Sequence, residues 1–418
     1  MLAAPLGLAS SRDAAAAYAH PTIFLFLGGF VMALALERWN LHRRIALAVL
    51  SRTGTNASHL IAGFMLVSAA LSMWMTNTST TMMLLPIGLS VITVMRENND
   101  DGNADQQANF QLALLLGVAF AASIGGLSTL IGTPPNALLV AYLAERENID
   151  ISFARWMLVG VPVTIALLPV AWWLLTRRLF PVTINPGAAV MAHLDKMRDA
   201  QGPMTIAERR VAILFALLVA GWMLRRPLQA WFGLDGLNDT AIAIAAAVAL
   251  FLIPSGDNEQ QQLMVWSETR RLPWGVLILF GGGLSLAAVV NSSGLAEWLG
   301  QSLAPLSLLG IGVLVLAAVT MTIFLTEFTS NMATTATLLP VMGAIAFQAD
   351  LAPLLLTVPV TIAASCAFML PVATAPNAIV FSTGMIGIGQ MVRAGVFLNL
   401  LAIVLIWVIG LFVAPALL

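Results

Sequence analysis

Thr76-Asn77-Thr78-Ser79-Thr80-Thr81 and Ser330-Asn331-Met332-Ala333-Thr334-Thr335 gather hydroxyls and amides at two points of an otherwise apolar chain. Both runs continue into the same tripeptide, Leu84-Leu85-Pro86 and Leu338-Leu339-Pro340, so one motif is written twice. Buried hydroxyls and amides are costly in apolar surroundings unless something binds them. Side-chain oxygens there can coordinate a hard cation, and amides with free backbone N–H groups can hold an anion. Two matching interruptions of this kind point to one composite site built from two halves, the sequence mark of a transporter site near the bilayer midplane.

A second pair strengthens this reading. Gly132-Thr133-Pro134-Pro135-Asn136-Ala137 corresponds to Ala373-Thr374-Ala375-Pro376-Asn377-Ala378 at an offset of 241 residues, whereas the first pair is offset by 254. The first copy therefore carries 13 more residues between its motifs, expected in the polar 95–109 loop. Each Pro-Asn motif interrupts a long apolar segment, and proline removes a donor and breaks a helix. Unwound helix tips offer carbonyls to a sodium ion beside Ser, Thr and Asn oxygens, while the N-termini of half-helices favour a carboxylate or sulfate. No Lys or Arg lies in any of the four motifs. An anion would then be held by backbone dipoles, amides, hydroxyls and co-bound cations, which gives coupled cation binding an electrostatic reason.

The elements that must position these motifs are membrane helices. The chain has 418 residues, 59% hydrophobic and 9% charged, with a mean hydropathy of +0.91, more apolar surface than a soluble domain can hide. Apolar segments run at 22–36, 57–94, 110–141, 155–175, 211–224, 239–253, 274–291, 306–347, 353–381 and 393–417. Several fit one span of roughly 20 residues. The 57–94 and 306–347 stretches exceed that and carry the polar motifs near their centres, as re-entrant helical hairpins would. Such irregular backbone is tolerated at depth only under protein or around a cavity. With 110–141 and 353–381 as broken helices, the expected fold is an all-α polytopic membrane protein of two repeats. The first repeat is read as 1–175, a cytoplasmic linker as 176–210 and the second repeat as 211–418. At the 254-residue offset Phe26-Leu27-Gly28-Gly29 also meets Phe280-Gly281-Gly282-Gly283, Leu41 meets Leu295 and Leu60 meets Leu314.

The basic residues orient the chain. Segments 37–56, 95–109, 176–210, 254–273 and 382–393 hold 14 of the 19 Lys and Arg residues, leaving Arg12, Arg146, Arg155, Arg225 and Arg226 for the other face. The first set is therefore expected on the cytoplasmic side. Segment 37–54 before the first hairpin is basic, whereas 291–305 before the second has Glu297 as its only charge, so the repeats are expected to be inverted. Helices 211–224 and 239–253 have first-repeat counterparts that fall before residue 1, so upstream coding sequence is expected to encode further apolar spans.

Ser72-Met73-Trp74-Met75-Thr76-Asn77-Thr78 and Thr326-Glu327-Phe328-Thr329-Ser330-Asn331 resemble the paired Ser-Asn-Thr signatures of the divalent anion–sodium symporter family, and the Pro-Asn motifs resemble its second pair. The resemblance covers nearly the whole chain. It implies a homodimer with a fixed scaffold and an elevator-type transport domain, and substrates such as succinate, malate, fumarate, citrate or sulfate. Carried over residue by residue, it implies one sodium site at Ser72, Thr76, Asn77 and Gly132 and another at Thr326, Ser330, Asn331 and Ala373. It implies substrate contacts from Asn77, Thr78, Thr133, Asn331 and Thr374. Met332 stands where the second signature usually has threonine, and Ala375 where proline is common. The first change removes a hydroxyl donor and adds bulk, which leaves the choice among di- and tricarboxylates and sulfate open.

Other residues have plainer readings. Gly28-Gly29 and Gly281-Gly282-Gly283 are expected at packing contacts, Trp74, Trp172 and Trp173 in the core or at the interface, and His59 at the interface. Cys366, the only cysteine, is read as an apolar filler and excludes an internal disulfide or a multi-cysteine metal site. His20, His42, His59 and His193 have no ligand spacing. Glu327, whose repeat partner is Met73, admits either a functional or a structural role. A net charge of -1 with no basic run gives no reason to expect nucleic acid. The stretch before Pro21 lacks a positive region followed by a long apolar core, so no cleavable signal peptide is expected. Sodium-coupled symport of a small divalent anion leads, with sodium-independent exchange or a related arsenite or sodium/proton antiporter as rivals. An antiporter needs essential buried carboxylates, and Glu327 alone qualifies. An intramembrane enzyme needs a positioned nucleophile and base or a metal set, which these motifs lack.

Overall fold

The computed structural model describes residues 7–8, 10–98, 104–184, 187–234, 236–256, 262–303 and 310–418. These residues form α-helices joined by short turns, with an isolated bridge between Pro254 and Gln262 and no strand among the described residues. The first half contains α1 (Ser11–Ala16), α2 (Pro21–Arg38), α3 (Leu41–Leu50), α4 (Ala57–Ser72), α5 (Asn77–Asn98), α6 (Ala104–Gly126), α7 (Pro134–Arg146) and α8 (Phe153–Trp173). A connecting helix, α9 (Gly187–Asp199), follows. The second half contains α10 (Ile206–Met223), α11 (Arg225–Phe232), α12 (Asp239–Leu252), α13 (Trp274–Ser292), α14 (Leu295–Leu303), α15 (Ile311–Thr326) and α16 (Asn331–Gln348). It closes with α17 (Leu354–Ala364), α18 (Ala375–Phe381), α19 (Ile388–Phe412) and α20 (Ala414–Leu417).

Among the described residues six helices are long and apolar enough to cross a membrane, or seven if α10 and α11, bent by 75° at Leu224, count as one span. α4 and α5 are joined by the short turn 73–76, and α15 and α16 by the short turn 327–330, at the two places where hairpins are expected. The second begins at Ile311, and residues 304–309 of the expected 306–347 stretch lie outside the described residues. Residues 127–133 separate α6 from α7, and 365–374 separate α17 from α18, at the two places where broken helices are expected.

Three expected boundaries move. α8 does not stop at residue 175 but continues as a π-helical turn, Leu174–Leu179. α10 starts at Ile206 rather than 211, because Thr205 and Glu208 form a reciprocal capping box there. The 13 extra residues of the first half are mostly helix, not loop. α5 has 22 residues against 18 in α16, and α6 begins nine residues earlier than α17 when both are counted back from the Pro-Asn motif. The connections between them are five residues long in both halves, 99–103 in the first lying outside the described residues.

The basic segments meet at one end of the molecule. Arg44 pairs with Glu208 and donates to the Gly202 carbonyl, and Arg198 donates to Ser51. Trp39 donates to the Leu263 carbonyl, Arg210 to that of Pro254, Asn109 to that of Pro181, and Gln111 to that of Met385. At the opposite end His20 faces Glu145, Arg225 pairs with Asp150 and Asp239, and Arg155 reaches the Leu417 carbonyl. α4 and α5 extend from the basic end, whereas Gly343 of α16 packs under the Tyr142 hydroxyl of α7, towards the other end.

The glycine pairs hold helices close together. A Cβ on Gly28 would stand 2.7 Å from the backbone of Ala243 in α12, and one on Gly281 would stand 2.4 Å from the Tyr18 ring. Trp74 stacks at the first hairpin tip against Phe153 and meets Phe215 edge-on, while Trp172 donates to the Ser58 carbonyl at 2.8 Å. Cys366 is fully buried.

Candidate functional site

Each polar motif forms a hairpin tip. Residues 73–76 turn between α4 and α5, and 327–330 between α15 and α16. Thr76 and Ser330 start the returning helices by capping them: Thr76 Oγ1 accepts from the Ser79 N–H and Ser330 Oγ from the Ala333 N–H, each at 3.1 Å. One turn later the hydroxyls of Thr81 and Thr335 donate to the carbonyls of Asn77 and Asn331, each at 2.8 Å.

The asparagines fasten the tips. One end of the Asn77 side-chain amide lies 2.5 Å from Ser72 Oγ, 3.1 Å from the Ala122 carbonyl and 3.3 Å from the Gly132 carbonyl, reaching both sides of the break between α6 and α7. In the second half Thr326 Oγ1 sits 2.9 Å from Asn331 Oδ1 and 2.8 Å from the Ala364 carbonyl at the end of α17. Each hairpin is therefore bound to the broken helix beside it.

The Pro-Asn motifs work differently from the simple helix breaking expected of them. Their prolines occupy the first turn of α7 and α18, where a missing N–H costs nothing. The asparagines turn back and bridge the gap. Asn136 Nδ2 donates to the carbonyls of Gly126 (3.2 Å), Leu127 (3.3 Å) and Thr129 (2.8 Å), and Asn377 Nδ2 to those of Ala367 (3.2 Å) and Leu370 (3.1 Å). These buried amides keep the unwound strands from collapsing, because unpaired carbonyls in such a place are costly. The first break is the tighter: a Cβ on Gly132 would lie 2.4 Å from the Gly126 carbonyl oxygen.

All four motifs line one cavity of about 530 Å³, within the range of small-molecule sites. Residues 76–79, 132–135, 330–332 and 373–376 line it together with Phe30, Ala33 and Leu34 of α2, Pro273 and Val276. Of the expected site residues, Thr76, Asn77, Thr78, Gly132, Thr133, Ser330, Asn331, Ala373 and Thr374 all border this space, as do Met332 and Ala375. Ser72 and Thr326 do not border it; both are fully buried behind Asn77 and Asn331. Thr133 Oγ1 stands 3.5 Å from Ser365 Oγ, so the two halves touch inside the site. The starts of α5, α7 and α16 converge on the cavity and bring partial positive charge and unpaired N–H groups to it.

Glu327 resolves towards structure. It is fully buried and receives donors on both oxygens: Oε1 accepts from the N–H groups of Phe368 and Met369, each at 2.9 Å, and from Asn399 Nδ2 at 2.7 Å. Oε2 accepts from Met369 at 3.2 Å and Leu370 at 3.0 Å. The carboxylate thus holds open the unwound stretch of the second broken helix. The first half achieves the same brace by other means: Thr129 Oγ1 donates to the Met73 carbonyl at 2.5 Å and accepts from the Gly132 N–H at 3.1 Å. Thr129, one hydroxyl among many in the sequence, carried no signal that distinguished it. Glu37 and Arg271 were also missed; among the described residues they are the charged side chains that line the cavity. Among the described residues no cluster of three or more His, Cys, Asp or Glu could hold a metal ion.

Two turns and two helix interruptions border one cavity in an apolar helical protein, and the similarities to known proteins make it a multi-pass membrane transporter. The chain belongs to the sodium:sulfate symporter family, whose transmembrane-region profile matches residues 2–418. It is 40% identical over 415 residues to the sodium-dependent dicarboxylate transporter SdcS of Staphylococcus saprophyticus, covering 98% of this chain and 80% of that protein. It is 39% identical over 420 residues to the protein of the same name from Staphylococcus aureus, with the same coverage. Its fold is similar to the crystal structure of the Alcanivorax borkumensis YdaH transporter, with a TM-score of 0.66 at 15% identity over 97% of this chain and 88% of that one.

Proposed function

We propose that this chain couples sodium to the movement of a small dicarboxylate across the cell membrane, binding both at the cavity between the four tips. The observation that carries the reading is that all four motifs border one cavity and contribute only hydroxyls, amides and backbone groups to it, with no charged side chain in 76–79, 132–135, 330–332 or 373–376. One sodium would take oxygens around Ser72, Thr76, Asn77 and Gly132, the other around Thr326, Ser330, Asn331 and Ala373. Neutral oxygens of this kind suit a hard monovalent cation. The dianion would meet Asn77, Thr78, Thr133, Asn331 and Thr374 at the helix starts, and its charge would be balanced by the two cations. Dicarboxylate is favoured over sulfate because both curated relatives carry that name at about 40% identity.

We further infer two inverted repeats, the first running to Leu179, a linker bearing α9, and the second from Ile206. The matched capping and clasp bonds at both tips support the repeat, and the opposed directions of the hairpins support the inversion. Transport would proceed by an elevator motion of the tips past the wall of α2 and α13 in a homodimer, with the basic end cytoplasmic. Uptake of labelled succinate into proteoliposomes under an inward sodium gradient tests the reading. Sodium-stimulated uptake, competed by fumarate and less by sulfate, is expected. Equal uptake in potassium medium rejects symport and favours exchange.

A further inference from the structure

We propose that Arg271 is a transfer point for the substrate carboxylate at the basic mouth of the cavity, and that Glu37 keeps it from retaining the anion. The inference rests on the anion-transport reading. The motifs bring uncharged polar groups to the cavity; among the described residues its charge comes from Glu37, at the end of α2, and Arg271, just before α13, which face one another. Arg271 donates to Glu37 through Nη2 and to Glu268 through Nη1 at 3.2 Å. These bonds engage two of its five donors, and its side chain is 48% exposed. Donors therefore remain for a visiting carboxylate, which the planar guanidinium matches in a two-point contact.

The position is fixed rather than swinging. Trp39, two residues after Glu37, donates to the Leu263 carbonyl, and Trp274, three after Arg271, donates to that of Thr269, each at 2.9 Å. Both charges thus sit on braced backbone at the end of α2 and just before α13. A lone arginine there would draw the dianion out of the neutral site but hold it. Two neighbouring carboxylates offset that attraction, so the anion exchanges with Glu37 and leaves. Removing Glu37's charge strengthens the hold; removing Arg271 weakens it.

The test uses full-length protein, with succinate affinity measured calorimetrically in sodium and efflux measured from preloaded proteoliposomes. Glu37→Gln is expected to bind succinate about two- to fivefold more tightly, the scale of a half-exposed ion pair, and to release it more slowly. Arg271→Gln is expected to bind more weakly by a similar factor, Arg271→Lys to recover part of the loss, and the double Gln variant to return near the parent. Shifts of both single variants in the same direction mark a merely structural pair and overturn the proposal, as does no shift in either. If the parent protein itself binds no dicarboxylate with sodium, the function reading falls instead.

Discussion

Replacing Glu327 by Gln should damage sodium binding without touching the cavity surface. The carboxylate accepts from three consecutive backbone N–H groups and from Asn399, all within 3.2 Å. A glutamine keeps the size but turns one oxygen into a donor. If that end replaces Oε2, it faces the N–H groups of Met369 and Leu370, leaving one or two buried donors without an acceptor. Each costs about 1–3 kcal/mol, so the unwound stretch should lose roughly 2–4 kcal/mol. Part of that will be relieved by local rearrangement, and 1.4 kcal/mol already corresponds to about tenfold in an equilibrium constant. The expected result is a melting temperature lowered by several degrees and a sodium half-saturation raised at least about tenfold. Melting in detergent with and without sodium, followed by sodium titration of uptake, measures both. Asn399→Ala should produce a smaller effect in the same direction, since it removes one of the donors. A Gln variant that melts and titrates like the parent would refute the brace, and would also dismiss proton coupling through this residue.

Gly132→Ala should abolish transport, because its Cβ would lie 2.4 Å from the Gly126 carbonyl oxygen, whereas Ala373→Gly at the equivalent position should be mild; uptake at saturating sodium separates the two. Thr129→Val removes the hydroxyl between the Met73 carbonyl and the Gly132 N–H and should cost about 1–3 kcal/mol of stability, read by thermal melting. His42, on the amphipathic α3 outside the spans, has its imidazole pushed below the ordinary value by burial, against a raising contact from the Leu36 carbonyl. The folded state thus takes up this proton less readily than the unfolded chain. Stability should be full above pH about 6.5 and decline as pH falls through that value, and His42→Gln should flatten the profile of melting temperature against pH.

Much of this architecture was legible because polar residues in a lipid-facing sequence have few innocent explanations. The motifs at Asn77 and Asn331 located the tips, and the Pro-Asn pairs located the breaks. What the sequence could not convey was the division of labour between similar residues. Asn77 and Asn331 border the cavity, whereas Asn136 and Asn377, chemically the same, are used to replace lost helix hydrogen bonds. That difference follows from where each side chain points after a proline-started helix begins, which depends on tertiary folding. Glu327 and Thr129 illustrate the same limit: a carboxylate accepting N–H groups in one half and a hydroxyl donating to a carbonyl in the other brace equivalent places, so residue identity hides the shared task. Arg271 was visible only as part of a basic segment, and nothing local linked it to a cavity whose lining runs from Phe30 to Pro376.

The longer helices of the first half have an energetic corollary. Two halves of equal length would make the inward- and outward-facing arrangements near mirror images, with little to choose between them. Here α6 projects about 13 Å further than its counterpart, at 1.5 Å per residue. The projecting turns contact residues 181–183 and Met385 through Gln106, Asn109 and Gln111. Under the proposed inverted repeat, α17 is too short to make the matching contacts. The proposed elevator motion would thus start from a population tilted towards the arrangement that makes these bonds, and binding of sodium and its anion would have to offset that tilt before the tips move.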